Sequence, residues 1–244
     1  MTQTKPHALI TGGNGAIGAA LARKLIQKGY RVTITGRDEK KLAAISETHP
    51  DMKHLVCDVT DPAATEKMIE TSFPVDLAIL NAGTYQPGQT SQTTLETFKH
   101  MMDVNYFGVI NCLIPLIKHM KQHSGHIAIV GSLAGYIGLP NASGYGASKA
   151  AIINLCESLK AELQDSLVRI QLISPGFVKS KLTDKNNFDM PELLEPEEAA
   201  NFIMEGLDNN RFEISFPKKF ASKMKFLRIL PYSAYFSLIK KVTK

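Results

Sequence analysis

The chain has 244 residues, 44% of them apolar, 21% charged and 7% aromatic, with 17 Gly, 12 Pro and no Trp. That composition fits one large α/β domain or two small ones with a sizeable core, and it excludes a disordered chain, a collagen-like repeat and a disulfide scaffold. The net charge of +5 is unevenly spread: residues 211–244 hold nine Lys or Arg against the single acid Glu213, a balance of +8, and the first 210 residues hold 19 basic and 22 acidic residues, a balance of −3.

The opening Met-Thr-Gln-Thr-Lys-Pro-His-Ala-Leu-Ile-Thr-Gly-Gly has too short an apolar run for a signal peptide. Short apolar or alternating segments bounded by Gly, Pro, Asn or Asp predict seven strands, at His7–Thr11, Arg31–Thr35, Lys53–Cys57, Asp76–Leu80, His126–Gly131, Arg169–Ser174 and Phe212–Phe216. Between them, helical spacing of apolar residues predicts Ile17–Lys28, Glu39–Thr48, Pro62–Ser72, Leu95–Lys121, Tyr145–Gln164 and Pro196–Asp208. Gly29 is placed to end the first helix, and Asp61 or Thr60 to cap the third ahead of Pro62. Strand–helix alternation of this kind predicts a doubly wound, Rossmann-like parallel sheet with helices on both faces. With no Gly/Pro/Ser linker, residues 1–216 read as one domain and 217–244 as a basic amphipathic extension. Cys57, Cys112 and Cys156 are odd in number and far apart, which suits reduced packing residues of a cytoplasmic protein. No metal site is expected.

Two signals carry chemistry. Thr11-Gly12-Gly13-Asn14-Gly15-Ala16-Ile17-Gly18 lies between the first strand and first helix, where glycines let backbone approach a pyrophosphate at a helix N-terminus. The second strand ends Thr35-Gly36-Arg37-Asp38, with no acid directly at its end to bind ribose hydroxyls; Arg37 offers a fork for a 2′-phosphate, which favours NADP(H) over NAD(H). The alternative is a solvated Arg37 and an Asp38 that caps the next helix. Second, Tyr145-Gly-Ala-Ser-Lys149 sets a phenol and an ammonium four apart on one helix face, an arrangement expected, with the positive charge of an oxidised nicotinamide nearby, to lower the phenol's pKa.

The glycine-rich turn, Cys57-Asp58-Val59, Asn81-Ala82-Gly83, Asn105 within Asp-Val-Asn-Tyr-Phe-Gly, Ser132 within Val-Gly-Ser, Tyr145 to Lys149 and Pro175-Gly176 occur in an order and spacing that resembles the short-chain dehydrogenase/reductase family in its short, single-domain form. The resemblance implies Tyr145 as general acid/base, Ser132 as hydrogen-bond partner of the substrate oxygen, Lys149 on the nicotinamide ribose and Asn105 on a relay water. For the cofactor it implies Gly12, Asn14, Gly15, Ile17 and Gly18 at the pyrophosphate and Asp58 and Val59 beside the adenine. Asn81, Ala82 and Gly83 then lie under it, and Pro175, Gly176, Val178 and Ser180 lie along the nicotinamide. One departure is Ala16, where short members usually have glycine; the resulting spacing is that of longer, sugar-nucleotide-modifying members.

The segment after Gly176 lacks clear periodicity and reads as a lid, whose Phe177, Leu182, Phe188, Met190, Leu193 and Leu194 either cover an apolar substrate or pack on the body. Tyr85, Tyr136, Ile137 and Leu139 are expected in the pocket wall. The extension from Pro217 alternates basic and apolar residues. It suits either peripheral contact with an anionic membrane or docking on the body or another subunit, and without a recognition motif it does not make a nucleic-acid site. The expectation is an oxidoreductase acting on a small carbonyl or alcohol, a homo-oligomer as is common in the family. A cofactor-binding sensor or scaffold without turnover and a sugar-nucleotide epimerase are the alternatives.

Overall fold

The computed structural model describes residues 5–242; Met1–Thr4 of the opening segment and Lys244 of the basic extension lie outside the described residues. All seven predicted strands form, within one residue at each end: β1 (His7–Thr11), β2 (Arg31–Gly36), β3 (Met52–Val56), β4 (Leu77–Leu80), β5 (Gly125–Val130), β6 (Val168–Pro175) and β7 (Glu213–Phe216). They pair in parallel in the order β3-β2-β1-β4-β5-β6-β7. The helices are α1 (Ala16–Gln27), α2 (Glu39–Ser46), α3 (Pro62–Ser72), α4 (Leu95–Met102), α5 (Gly108–Met120), α6 (Ser143–Glu162), α7 (Pro196–Leu207), α8 (Lys218–Ile229) and α9 (Tyr232–Val242).

Side-chain alternation divides the core between the two faces of the sheet. Ala8 and Ile10 of β1 join a cluster with Leu21 and Leu25 of α1 and Ile203 of α7, whereas Leu9 joins a second cluster with Met68 of α3, Leu116 of α5 and Cys156 of α6. Burial on both faces explains why the central strands β1, β4 and β5 read as apolar runs, whereas the edge strands β3 and β7 are only partly buried. Asp61 caps α3 by accepting from the Ala63 and Ala64 N–H groups at 3.0 Å, and Gly29 takes the left-handed conformation (φ +87°) that ends α1. The three cysteines are free thiols, all buried; burial pushes the Cys112 and Cys156 thiols up to about 12.

The long helix expected over Leu95–Lys121 is interrupted. A π-helical turn, Asp103–Phe107, separates α4 from α5. Apolar spacing runs through it without a break, so the pattern gives no sign of the extra residue. Two inward demands account for it: Asn105 is fully buried, and Gly108 meets Val59 so closely that a Cβ would stand 2.7 Å from its side chain. Leu95–Met120 is also the one helical stretch among the described residues long and apolar enough to cross a membrane, and its buried residues line the core.

The extension docks on the body by one side. Ala221 and Met224 of α8 are buried, Phe220 stacks on Phe177 with centroids 5.7 Å apart, and buried Tyr235 of α9 donates its hydroxyl to the Gly138 carbonyl.

Candidate active site

With β1 and β4 adjacent, the strand order reverses between them, and their carboxyl ends open the crevice typical of this architecture. The glycine-rich turn leaves β1 here. Thr11 Oγ1 accepts from the Asn81 and Ala82 N–H groups at 3.0 and 3.1 Å, and Asn81 Nδ2 donates to the Thr11 and Gly12 carbonyls, both at 3.1 Å. Gly12 has φ +64°, and a Cβ there would stand 2.8 Å from Ala82 Cα; a Cβ on Gly18 would stand 2.8 Å from Gly13 Cα. Backbone thus passes backbone where side chains would block it. Gly15 is the N-cap of α1, no side chain caps that helix, and Ala16 is its first residue, so the first-turn N–H groups are left for an anion. The turn, glycine cradle and uncapped helix fit a dinucleotide pyrophosphate despite the Ala16 departure.

At the end of β2, Asp38 accepts from the Lys41 N–H at 3.2 Å and pairs with the Lys41 ammonium, which caps α2. Exposed Arg37 reaches to 3.8 Å from Asp58. Arg37, Asp58, Thr60, His100, Asp103 and Phe107 line an open cleft of about 340 Å³. Val59 is buried behind it, its carbonyl held by Asn111 Nδ2 at 2.9 Å.

Across β5 lies the second group. Ser132 follows β5, and its Oγ accepts from the Ala134 N–H at 3.1 Å, opening a 3₁₀ turn, Leu133–Gly135. That turn rests on α6 at Gly135, where a Cβ would stand 2.7 Å from the Lys149 carbonyl carbon and 2.9 Å from the Ala150 nitrogen. The contact fixes Ser132 relative to Tyr145 and Lys149, one turn apart on α6. Lys149 is buried; its Nζ donates to the Val130 carbonyl at 2.8 Å and lies 5.9 Å from the Tyr145 ring centroid. Burial lowers its pKa to about 8.

The phenol departs from expectation: burial pushes Tyr145 up to about 12, with the Ser132 hydroxyl pulling the other way. The neighbouring ammonium is directed at the Val130 carbonyl. Asn105 has both ends of its side chain engaged. Its Oδ1 accepts from the Thr84 N–H at 2.7 Å, and its Nδ2 donates to the Thr84 carbonyl at 3.0 Å and to Ser148 Oγ at 2.9 Å. Ser148 in turn donates to the Tyr145 carbonyl at 2.7 Å. Asn105 therefore ties the loop after β4 to the helix of Tyr145. Around Gly83, Asn105 Oδ1 and Lys149 Nζ lie 3.2 and 3.7 Å from where a Cβ would stand.

Pro175 ends β6, and the Gly176 N–H donates to the Phe216 carbonyl at 2.7 Å. Val178 is buried and bridges Leu194; the Ser180 N–H donates to Thr183 Oγ1 at 2.9 Å.

Comparison with known proteins decides the family. The short chain dehydrogenase description matches residues 6–191. The chain belongs to the short-chain dehydrogenase family. An uncharacterized oxidoreductase of Myxococcus xanthus is 33% identical over 233 residues, 92% of each chain. A short-chain dehydrogenase of Burkholderia cenocepacia, solved with NADP, superposes with a TM-score of 0.87 at 24% identity, covering 98% of this chain and 99% of its own. One from Burkholderia phymatum, solved with NAD, gives 0.83 at 22% identity, covering 91% and 92%.

In this short-chain dehydrogenase the structure also shows what holds the expected wall residues, through Asn186, Lys185 and Glu213, which sequence reasoning missed. Tyr85 sits edge-on to Tyr145 with centroids 4.9 Å apart, its hydroxyl donates to Asn186 Oδ1 at 2.8 Å, and Lys185 Nζ donates to the Tyr85 carbonyl at 2.6 Å. The lid is thereby tied to the loop after β4. Its apolar residues are divided: Phe177 and Leu194 pack inward, and Leu182, Phe188 and Leu193 are exposed. Tyr136 is not a free wall residue, because its hydroxyl donates to Glu213, which also accepts from Ser174 Oγ at 2.8 Å and pairs with Lys225 of α8 at 2.6 Å. Ile137 and Leu139 pack on the core. Partners some 80 to 100 positions apart leave no local signal in the sequence.

Proposed function

We propose that this short-chain dehydrogenase is an NADP(H)-dependent carbonyl reductase or alcohol dehydrogenase, acting on an uncharged, mostly apolar ketone, aldehyde or secondary alcohol. The observation that carries the reading is the convergence of Tyr145, Ser132 and buried Lys149 beside the crevice. A phenol held fully protonated is suited to give its proton to a carbonyl oxygen, and Ser132 is suited to donate a hydrogen bond to that oxygen as charge develops on it. Lys149 is suited to stabilise the phenolate left behind and would hold the nicotinamide ribose. Asn105 positions both partners through Thr84 and Ser148.

When bound, the nicotinamide supplies or accepts the hydride. The residues that would hold the cofactor are Gly12, Asn14, Gly15, Ile17 and Gly18 at the pyrophosphate, Asp58 and Val59 at the adenine, and Asn81, Ala82 and Gly83 beneath. Pro175, Gly176, Val178 and Ser180 would border the nicotinamide. The preference for a 2′-phosphate is supported by Asp38: its carboxylate is turned to Lys41, leaving exposed Arg37 as the charged group at the end of β2. We also propose a homodimer through α5 and α6, with Ile114 of α5 and Phe107 of the preceding π turn exposed.

Fluorescence titration with NADPH and NADH tests the reading. NADPH should bind at least about tenfold tighter, and Arg37→Ala should remove the difference. Tyr145→Phe should bind NADPH normally yet turn over a ketone about 10²–10⁴-fold more slowly. Equal binding of the two cofactors refutes the NADP(H) preference, and unchanged turnover of Tyr145→Phe refutes the mechanism.

A further inference from the structure

From residue 214 onward the sequence holds eight basic residues (Lys218, Lys219, Lys223, Lys225, Arg228, Lys240, Lys241 and Lys244) and no acid. One side of α8 and α9 is fixed to the body through Met224, Phe220 and Tyr235, and Lys225 is taken by Glu213. The opposite side of α8 exposes large apolar groups, and so does α9 beside Tyr235. Ile229 and Tyr232 are 77% and 78% exposed, and Phe226 and Phe236 are also more than half exposed. Lys218, Lys219 and Lys223 of α8 are exposed as well, and on a helical projection they flank Phe226 and Ile229. Tyr232 stacks on Phe236 with centroids 6.1 Å apart, directly after the turn at Pro231.

We propose that this outer face of α8 and α9 docks on an anionic lipid surface. Helices of 12 and 11 residues are too short to cross a bilayer, but an apolar strip edged by lysines suits a helix lying in the headgroup plane. Charge complementarity selects the occupant. A second copy of the same face would set a wholly basic surface against itself, whereas anionic headgroups neutralise it, each basic residue strengthening attachment about fivefold. Through their inner side, the same two helices are anchored to segments beside the crevice. Phe220 of α8 lies 3.1 Å from where a Gly176 Cβ would stand, and Tyr235 of α9 holds Gly138, six residues after Ser132. Docking would therefore place that region at the bilayer surface. The consequence, access to a carbonyl or alcohol dissolved in lipid, rests on the proposed oxidoreductase function; the docking itself does not.

Flotation of the full chain with phosphatidylcholine vesicles, with and without 30% phosphatidylglycerol, is the test. Wild type should float with the anionic vesicles only and be released by high salt. The pair Phe226→Ser and Ile229→Ser, and separately the pair Lys219→Ala and Lys223→Ala, should weaken partition roughly twentyfold. NADPH binding and thermal stability should be unchanged in both pairs, because none of the four residues belongs to the crevice. Absence of flotation, equal flotation on neutral vesicles, or variants that float like wild type would overturn the proposal. So would loss of a dimer in the Phe226/Ile229 pair, which would give this face to a second copy.

Discussion

Lys149 and Tyr145 titrate far from their ordinary values, and the signs of the two shifts separate activity from stability. Burial holds the phenol near 12, so it stays protonated across the working range, whereas the buried ammonium loses its proton at about 8. Reduction of a carbonyl leaves a phenolate beside Lys149, and a neutral amine stabilises that charge poorly. kcat/KM for ketone reduction, which reports groups of the free enzyme, should therefore be flat below pH 8 and fall above it. Between about pH 8 and 10.5 the folded chain holds fewer protons at Lys149 than the unfolded chain, so this group makes the fold more stable as pH rises. The fall in rate should thus appear with no fall in melting temperature attributable to Lys149. A rate that stays flat to pH 9.5 would remove Lys149 from the proton chemistry.

At the level of whole elements, strand positions and most helices were legible because burial on both faces of a parallel sheet writes its central strands as apolar runs, and half-burial writes the edge strands as short alternating ones. The crevice was legible for a similar reason: its turns demand glycine, and Tyr145 and Lys149 are local on one helix. The π turn at Asp103–Phe107 was not, since one extra residue leaves the apolar spacing intact. Nor was the anchoring of α8, which depends on Glu213 accepting from Tyr136 and Ser174 and pairing with Lys225. Burial works against the Glu213 charge, but Lys225, Tyr136 and Ser174 outweigh it and leave its pKa below the usual carboxylate value. A depressed acid contributes stability above its unfolded pKa and loses it as pH falls through the folded one. Glu213→Gln should accordingly cost about 1–3 kcal/mol at pH 7, the range for a buried hydrogen bond to a charged group. For a chain of this size that is a drop of roughly 2–4 °C per kcal/mol in melting temperature. The gap between wild type and variant should narrow in melts as pH falls below the ordinary carboxylate value, where Glu213 takes up its proton and this contribution is lost. Coincident melts at pH 7 would mean that the cluster does not hold α8.

On the scale of the molecule, the sheet buries α5 on one side and leaves the other in water. Single exposed apolar residues are ordinary on a protein surface. Phe107 and Ile114, however, are 51% and 65% exposed and lie seven residues apart, two turns along the same face. A two-fold axis through that face would set the strip against its own copy, the self-complementary contact that closes a dimer. The strip begins in the π turn that carries Asn105, so a dimer would brace the same backbone that presents Asn105 to Thr84 and Ser148. The expected mass by light scattering is twice that of one chain. Ile114→Glu would bury a carboxylate against its own image and should give monomers with the fold retained. If the brace matters, those monomers should also lose turnover more than NADPH affinity. A wild-type monomer, or a dimer that survives Ile114→Glu, would exclude this face and leave the exposed strip on α5 without a role in assembly.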